Sequence, residues 1–232
     1  MLVLADHLQI DDQRSLLQQQ PLSLLMLALQ PLLLGQIQPV VLADQLMTLH
    51  SPQIMGFSRI PIDQLSGVPA ICDYYAHSVD LNDAVAAAPD ISRAKVTESY
   101  AERLGLPLVV MDKRQDEQGR VWVHGVIGDV GGRDVIFLDD EIVTGASVAE
   151  GAAAVSARGA RRVFAGCVHA TLSVETTARL TESQIERLAI TDTIPLDPAT
   201  GSSKIQVCSV ADLFGRAIRA IHDETSISAL YR

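Results

Sequence analysis

Apolar runs alternate with amphipathic segments along the chain from about residue 82 to its end. Within the apolar runs there is little alternation with polar residues, which is typical of strands buried on both faces of a parallel sheet. The clearest amphipathic segment, residues 92–105, predicts a helix that ends at Gly105, because glycine readily adopts the left-handed conformation that terminates helices. Predicted strands occupy residues 106–112, 121–130, 135–140, 161–172, 188–196 and 204–210, and further predicted helices occupy 148–160, 175–183 and 211–224. This alternation predicts an α/β fold with a parallel sheet flanked by helices.

The first eighty residues have a less regular pattern. Residues 22–34 are the most apolar stretch, which is too short to span a bilayer and predicts a buried helix that ends at Pro31. Residues 39–49 predict a short buried strand, and the prolines of residues 60–76 predict loops around a short helix. The start of the chain has neither the basic nor the apolar segment of a secretory signal, so we expect no signal peptide.

Charge and cysteine content exclude several classes of protein. The 18 basic and 28 acidic residues give a net charge of −10, which argues against broad binding to nucleic acid phosphates. The three cysteines, Cys72, Cys167 and Cys208, lie far apart and form no CxxC pair. We therefore expect neither a disulfide framework nor a zinc site, and a cytoplasmic location.

The most informative segment is VIFLDDEIVTGAS, residues 135–147. Its apolar strand brings Asp139 and Asp140 to the carboxyl edge of a parallel sheet, where ligands bind in such folds. The small residues from Thr144 to Ser147 let backbone N–H groups surround a phosphate at the N-terminus of the following helix. The two acids suit ribose hydroxyls or a phosphate-bound Mg²⁺. The alternative is a strand–turn–helix with solvated acids and no ligand; the segment matches neither a Walker A motif nor a dinucleotide-binding motif.

Two acids, a short spacer and T-G-x-S resemble the phosphoribosyl pyrophosphate loop of phosphoribosyltransferase-fold proteins. Further segments, in the same order, narrow the resemblance to the ribose-phosphate pyrophosphokinase family over about residues 48–232. These segments are HSPQIMGF (50–57), IPID (60–63), Pro89–Asp90, MDKR (111–114), GARRVFAGCVHATLS (159–173), TDTIPL (191–196), KIQVCSVADLFGRAIRAIH (204–222) and SISALYR (226–232). Phosphoribosyltransferases of base salvage share the loop but neither TDTIPL nor the ending, so that function is disfavoured.

The resemblance implies two phosphoribosyltransferase-type domains with parallel sheets flanked by helices, the first of them incomplete. We expect the incomplete domain at residues 1–80, the domain with the ribose-phosphate loop at 81–213, and a closing helix and tail at 214–232 that pack on the first domain. The implied activity transfers diphosphate from ATP to ribose 5-phosphate, giving phosphoribosyl pyrophosphate and AMP, with Mg²⁺ as cofactor. The expected partners are ATP, ribose 5-phosphate, and either further copies or a full-length homologue in an oligomer; neither nucleic acid nor a membrane is expected.

The resemblance also assigns roles to individual residues. Ribose 5-phosphate is expected at Asp139, Asp140, Val143, Thr144, Gly145, Ala146 and Ser147. His50 and Asp90 are expected near the metal and the nucleotide, and Lys113 and Arg114 beside the migrating phosphoryl group. Each has a structural alternative: His50 as a hydrogen-bonded core histidine, Asp90 as a helix cap, and the two cations as a solvated strand end.

Four features depart from the family pattern. Thr48 replaces the acid of the family's Asp-Leu-His, Gln115 replaces the second arginine of Lys-Arg-Arg, and Val143 stands where many members carry an acid. The family's amino-terminal adenine-binding segment is not recognisable. Losing one well-placed cation typically costs about 100- to 1000-fold in rate, so an alternative is a catalytically impaired homologue that binds ribose phosphate and associates with an active synthetase. His169 receives no role, and Asp192 is equally suited to shaping a loop and to contacting substrate.

Overall fold

The computed structural model describes residues 44–115 and 121–231. The helix predicted to end at Pro31, the first residues of the strand predicted at 39–49, and most of the polar loop predicted at 114–120 lie outside the described residues. In chain order the strands are β1 (Asp44–Met47), β2 (Ile62–Leu65), β3 (Ala84–Ala88), β4 (Leu108–Gln115), β5 (Val121–Ile127), β6 (Asp134–Ile142), β7 (Arg162–Ala170), β8 (Ile185–Thr191) and β9 (Ile205–Cys208). The helices are α1 (Val68–Ser78), α2 (Ala94–Leu104), α3 (Ala146–Ser156), α4 (Val174–Glu182) and α5 (Ala211–His222).

A seven-stranded sheet forms the centre of the described structure, in the order β5-β4-β3-β6-β7-β8-β9. All neighbours run parallel except the edge strand β5, which is antiparallel to β4. Strand β6 lies in the middle and is buried along nearly its whole length. The predicted mostly parallel α/β sheet is therefore confirmed, and its central strand is the one that carries the two acids.

Helices cover both faces of this sheet. Ile136 and Leu138 of β6 belong to a core that includes Tyr75 of α1 and Tyr100 of α2. Phe137, which points to the other face because side chains alternate along a strand, packs in a second core built with residues of α3 and α4. The unbroken apolar run of β6 is explained by this burial on both sides.

A small parallel sheet of β1 and β2 lies beside the large one. Met47 and Leu65 pack in a third cluster with Val168 of β7 and Ala217 of α5. The Ser66 amide donates a hydrogen bond of 2.7 Å to the hydroxyl of Tyr231, close to the end of the chain. These contacts join the closing helix and tail to the small sheet, while the domain division at residues 80 and 213 stays a prediction.

Two strands were missed by the sequence pattern. Residues 60–63 predicted a loop, yet β2 begins at Ile62, directly after Pro61. Pro61 precedes the strand, so its missing N–H removes no hydrogen bond from the strand pairing. Residues 84–88 are mostly alanine, which has a low strand propensity, but β3 is completely buried between β4 and β6, where only small side chains fit. The predicted end of α2 is confirmed, because Gly105 has φ = 66° and closes the helix. No helix among the described residues is long and apolar enough to span a bilayer.

Candidate functional site

The acid pair lies at the carboxyl end of the central strand. Asp139 and Asp140 are almost completely buried, with 7% and 4% of their surfaces exposed. Helix α2 holds the strand in place here, because Tyr100 donates a hydrogen bond of 2.8 Å to the carbonyl of Asp139 and Thr97 donates one of 2.7 Å to that of Leu138. The carboxylates are therefore fixed on a rigid element, as a binding site for a specific ligand requires.

Arg93 and His50 converge on the two carboxylates. The guanidinium of Arg93 lies 3.3 Å from Oδ1 of Asp140 and 3.7 Å from Oδ1 of Asp139. Nδ1 of His50 is 2.9 Å from Oδ2 of Asp140 and 3.7 Å from Oε2 of Glu141. His50 is far from the acids in sequence, so only the tertiary fold brings this ring to the strand end.

The environment separates the two acids in proton affinity. Burial, followed by the hydrogen bond and negative charge of Asp140, raises the pKa of Asp139 to about 8, against the opposing charge of Arg93. Burial would also raise the pKa of Asp140, but hydrogen bonding to Asp139 and the charges of Arg93 and His50 lower it below its usual value. The two carboxyls therefore titrate as a pair that keeps a proton to higher pH than an isolated aspartate does, and they offer a ligand both negative charge and acceptor oxygens.

The candidate phosphate loop, residues 143–147, follows β6 directly. Gly145 has φ = 68° and is the N-cap of α3, so this end of the helix has no capping side chain from the cap residue. The Thr144 hydroxyl accepts a weak hydrogen bond of 3.4 Å from the Ala146 amide, and Val143 and Ser147 are exposed on either side. The first N–H groups of α3 are thus presented to an anion, together with the positive end of the helix dipole.

Two side chains of helix α4 donate hydrogen bonds to carbonyl groups of the loop. The hydroxyl of Thr176 donates a hydrogen bond of 3.1 Å to the carbonyl of Val143, and the guanidinium of Arg179 donates to the carbonyl of Thr144. With these carbonyls bonded to α4, the amides of the loop face away from it. The predicted loop residues therefore form a single continuous segment beside the acid pair.

Of the two predicted catalytic cations, Lys113 reaches the loop. Its Nζ donates a hydrogen bond of 3.3 Å to the carbonyl of Ser147, and burial lowers the pKa of Lys113 despite nearby carboxylates. Arg114 lies next to it in β4, is exposed, and pairs with Asp112 at 3.2 Å. Because successive side chains of a strand face opposite sides, the structure brings Lys113 and not Arg114 to the loop.

Asp90 and His50 are not in contact. Oδ1 of Asp90 accepts from the Arg93 amide at 3.1 Å and from the Ser92 hydroxyl, which is the capping role that the sequence left as an alternative. No three His, Cys, Asp or Glu side chains converge as a metal cage among residues 44–115 and 121–231. Oδ1 of Asp140 is buried and accepts no hydrogen bond from the described residues, although the Arg93 guanidinium lies 3.3 Å from it. The side chains of Asp90, Asp140 and His50 fit a Mg²⁺ that takes most of its ligands from water and substrate phosphates, because Mg²⁺ commonly binds proteins through only one or two side chains.

Comparison with known proteins finds related sequences and structures. A model of the phosphoribosyl synthetase-associated domain matches residues 123–232. A ribose-phosphate pyrophosphokinase of Clostridium acetobutylicum is 37% identical over 193 residues, which cover 82% of this chain and 60% of the relative. Another, of Caldanaerobacter subterraneus, is 39% identical over 185 residues, which cover 80% of this chain and 58% of the relative. The chain belongs to the ribose-phosphate pyrophosphokinase family.

A solved structure of a family member agrees with this assignment. The phosphoribosylpyrophosphate synthetase of Mycobacterium smegmatis superposes with a TM-score of 0.69 at 29% identity, over 78% of this chain and 59% of that one. This chain therefore spans about three fifths of the length of the relatives that it matches.

The departure at Thr48 from the family pattern now has a local explanation. Thr48 has φ = 40°, which is rare for a β-branched residue, and its hydroxyl accepts a hydrogen bond of 2.9 Å from the Gly67 amide. The side chain therefore ties β1 to the start of α1. The loss of an acid here leaves a side chain with a clear structural role.

Sequence reasoning missed Arg93 as a site residue. It lies three residues after Asp90 and just before α2, in a segment that the sequence showed only as the start of an amphipathic helix. Its ion pairs with both acids make it the main counter-charge of the pair. A basic residue three positions after the Pro-Asp pair is a local signal for such a role. The strand that carries its two partner acids, however, lies more than forty residues further along the chain.

Asp192 has a structural role at the start of α5. Its carboxylate accepts from the Val210 amide at 2.9 Å and from the Ser209 hydroxyl. We expect Asp192→Ala to lower the free energy of unfolding by about 1–3 kcal/mol, because a partly buried amide loses its acceptor. Denaturant titration measures this loss, and Asp192→Asn, which keeps one acceptor oxygen, is the control. Weaker ribose 5-phosphate binding at unchanged stability would instead assign Asp192 to the substrate.

Proposed function

We propose that the chain binds ribose 5-phosphate and, with ATP and Mg²⁺, transfers diphosphate to the ribose to give phosphoribosyl pyrophosphate and AMP. One observation carries this proposal: a buried acid pair at the carboxyl end of the central strand adjoins a helix N-terminus that begins at a left-handed glycine. Acceptors for hydroxyl groups and donors for a phosphate stand side by side there, and a sugar phosphate needs both.

The binding of ribose 5-phosphate follows from the chemistry of the two parts. The 5-phosphate accepts from the loop amides of residues 144–147 and from the hydroxyls of Thr144 and Ser147. Ribose hydroxyls donate to Asp140, which is ionised, and contact Asp139. The side chain of Val143 has no polar group, so only its backbone can contact the phosphate. Many family members carry an acid at this position, and valine removes that negative charge from the neighbourhood of the phosphate.

For the transfer step, positive charge beside the loop is the main contribution of this chain. In-line phosphoryl transfer spreads charge over the phosphoryl oxygens, and fixed cations stabilise it. Lys113 is already held at Ser147, which supports its assignment to the migrating group. Arg114 is proposed for the same role only after its strand end changes register, because it now faces Asp112.

His50 and Asp90 are the residues that we propose to hold Mg²⁺. When bound, the ion neutralises the phosphates and shields them from the acids of the site. His50 lies against Asp140 and Asp90 lies on the turn before Arg93, so both contact elements that adjoin the acid pair. Oligomer formation, a cytoplasmic location and a role in nucleotide biosynthesis stay part of this proposal; light scattering that shows a monomer at all concentrations would contradict the first.

The test is AMP release from ATP, Mg²⁺ and ribose 5-phosphate by the purified chain. We expect release that depends on ribose 5-phosphate and falls at least about 100-fold in the double variant Asp139→Asn/Asp140→Asn, which loses the acceptors for the ribose hydroxyls. Calorimetric titration with ribose 5-phosphate runs in parallel. Saturable binding without AMP release would contradict the transfer step and support the impaired homologue, and absence of binding would overturn the site itself.

A further inference from the structure

His169 joins the large sheet to the small one at the edge of the candidate site. It lies near the end of β7, opposite Glu141 of β6 in the strand register. Its Nε2 is 2.9 Å from the carbonyl of Thr48 and 3.1 Å from that of Met47, while Nδ1 is 2.9 Å from the hydroxyl of Thr193. Because carbonyls only accept, Nε2 carries a proton and donates to them, while Nδ1 faces the Thr193 hydroxyl, which also lies 3.1 Å from the carbonyl of Val168.

The segment that His169 holds is strained. Thr48 has φ = 40°, a conformation that β-branched residues rarely adopt and that persists only where the surroundings impose it. Three hydrogen bonds impose it here. The Thr48 amide donates to the carbonyl of Leu65 at 2.8 Å, its hydroxyl accepts from Gly67 at 2.9 Å, and its carbonyl accepts from His169. Of these three, only the bond to His169 comes from the large sheet.

The turn at Thr48 leads directly to His50, whose two ring nitrogens each lie 3.4 Å from the Arg93 guanidinium. One residue separates Thr48 from His50, and the His50 ring is 2.9 Å from Asp140 on β6. The ring of His169, on the adjacent strand β7, thus sets the separation between the Thr48 backbone and the strand that carries the acids. We therefore expect a change at His169 to move the backbone that leads into His50, because its ring bonds to Thr48 and Met47 and not to His50 or the candidate phosphate loop.

We propose that His169 is a positioning residue that fixes the Thr48 turn and thereby holds the His50 ring against Asp140. The proposal deepens the proposed function, since it assigns His169 to the metal- and nucleotide-binding side of the site and not to the ribose phosphate side. It predicts that loss of the Nε2 donor displaces His50 while the loop of residues 143–147, which α4 supports, keeps its geometry.

Two amide variants separate the two ring nitrogens. In His169→Gln the side-chain NH₂ lies at the position of Nε2 and can still donate to Thr48, whereas in His169→Asn the shorter side chain reaches only the position of Nδ1. The first readout is the ¹H–¹⁵N spectrum of the imidazole rings of the six histidines, with the His50 signals assigned by His50→Gln. We expect the His50 signals to shift in His169→Asn and to return to their wild-type positions in His169→Gln.

Binding and activity provide the second readout. We expect His169→Asn to raise KM for Mg-ATP by about tenfold or more, as loss of a group that orients a metal-side residue typically does, with ribose 5-phosphate binding within about twofold of wild type. The unchanged ribose 5-phosphate titration also shows that the variant is folded. If the chain releases no AMP, the His50 signals still decide the proposal, so its failure and that of the proposed function are distinguishable.

Several outcomes of these experiments would overturn the proposed role of His169. His50 signals that are identical in wild type and His169→Asn would overturn the proposal, as would equal shifts in the Asn and Gln variants. If His169→Asn does not fold, Thr193→Val serves instead: it keeps the buried shape and removes the hydroxyl that orients the His169 ring. We then expect a smaller shift of the same His50 signals, and no shift would again overturn the proposal.

Discussion

Replacing Gly145 by valine is expected to weaken ribose 5-phosphate binding at least about 100-fold, because losing two hydrogen bonds to the charged phosphate costs about 3 kcal/mol or more. Gly145 has φ = 68°, and a Cβ atom built on it lies 3.0 Å from Cγ and Cδ2 of Leu180 in α4. The added side chain pushes the loop away from α4 and turns the first amides of α3 from the phosphate. Left-handed strain of about 1–2 kcal/mol and overpacking of about 1–3 kcal/mol add to a loss of stability of about 2–5 kcal/mol.

Gly105→Val is the matched control for this change. Gly105 has nearly the same φ, 66°, but no atom lies within 4 Å of a Cβ built there. This variant therefore shows the backbone strain alone, about 1–2 kcal/mol, and should bind ribose 5-phosphate like wild type. Calorimetric titration and denaturant unfolding of both variants make the comparison. Wild-type binding by Gly145→Val would mean that the left-handed turn is not the conformation that receives the phosphate.

Asp139→Asn is expected to remove a pH dependence of stability that wild type shows between about pH 4 and pH 8. Burial raises the pKa of Asp139 in the folded chain to about 8, above its ordinary value of 3.8. In this window the folded chain keeps a proton that the unfolded chain releases, so the free energy of unfolding falls as pH rises, by up to about 1.4 kcal/mol per pH unit. The asparagine cannot ionise, and its curve lacks this slope. Denaturant titrations from pH 5 to pH 8, without divalent cations, measure the difference.

Asp134→Asn provides the control on the same strand. Asp134 is also buried, but its ion pairs with Arg161 and Arg162 outweigh burial and lower its pKa. Its contribution is therefore complete above its unfolded pKa, near 4, and is lost only at lower pH. Asp134→Asn should lower stability by a constant amount from pH 5 to pH 8. Parallel curves for wild type and Asp139→Asn would contradict the raised pKa of Asp139.

Much of the fold was predictable because its determinants are local. The apolar run from Val135 to Leu138 predicts a strand buried on both faces, and the structure places it at the centre of the sheet. Gly105 predicts the end of α2 since a left-handed residue terminates a helix. The alanines of β3 were not recognised as a strand, because their burial depends on the neighbours β4 and β6 and not on their own propensity.

The candidate site also contains residues that could be predicted from a local pattern and residues that could not. Asp139, Asp140 and the loop up to Ser147 lie on one continuous segment, so strand, turn and helix N-terminus could be inferred together. Arg93, His50 and His169 come from three other segments and meet this one only at the sheet edge. Lys113 and Arg114 are adjacent in sequence, but the pleat of β4 brings only Lys113 to the loop.

By itself, the sequence determined the order of strands and helices from α2 onward, the acid pair and the candidate phosphate loop, because each depends on a pattern within about fifteen residues. The tertiary structure alone decided which charges face the acids, how far burial raises the proton affinity of Asp139, and how His50 reaches the pair. The physical reason is that proton affinity and ion pairing depend on burial and on distances between side chains. Those distances are set here by the packing of α2 against the central strand and of the small β1–β2 sheet against β7.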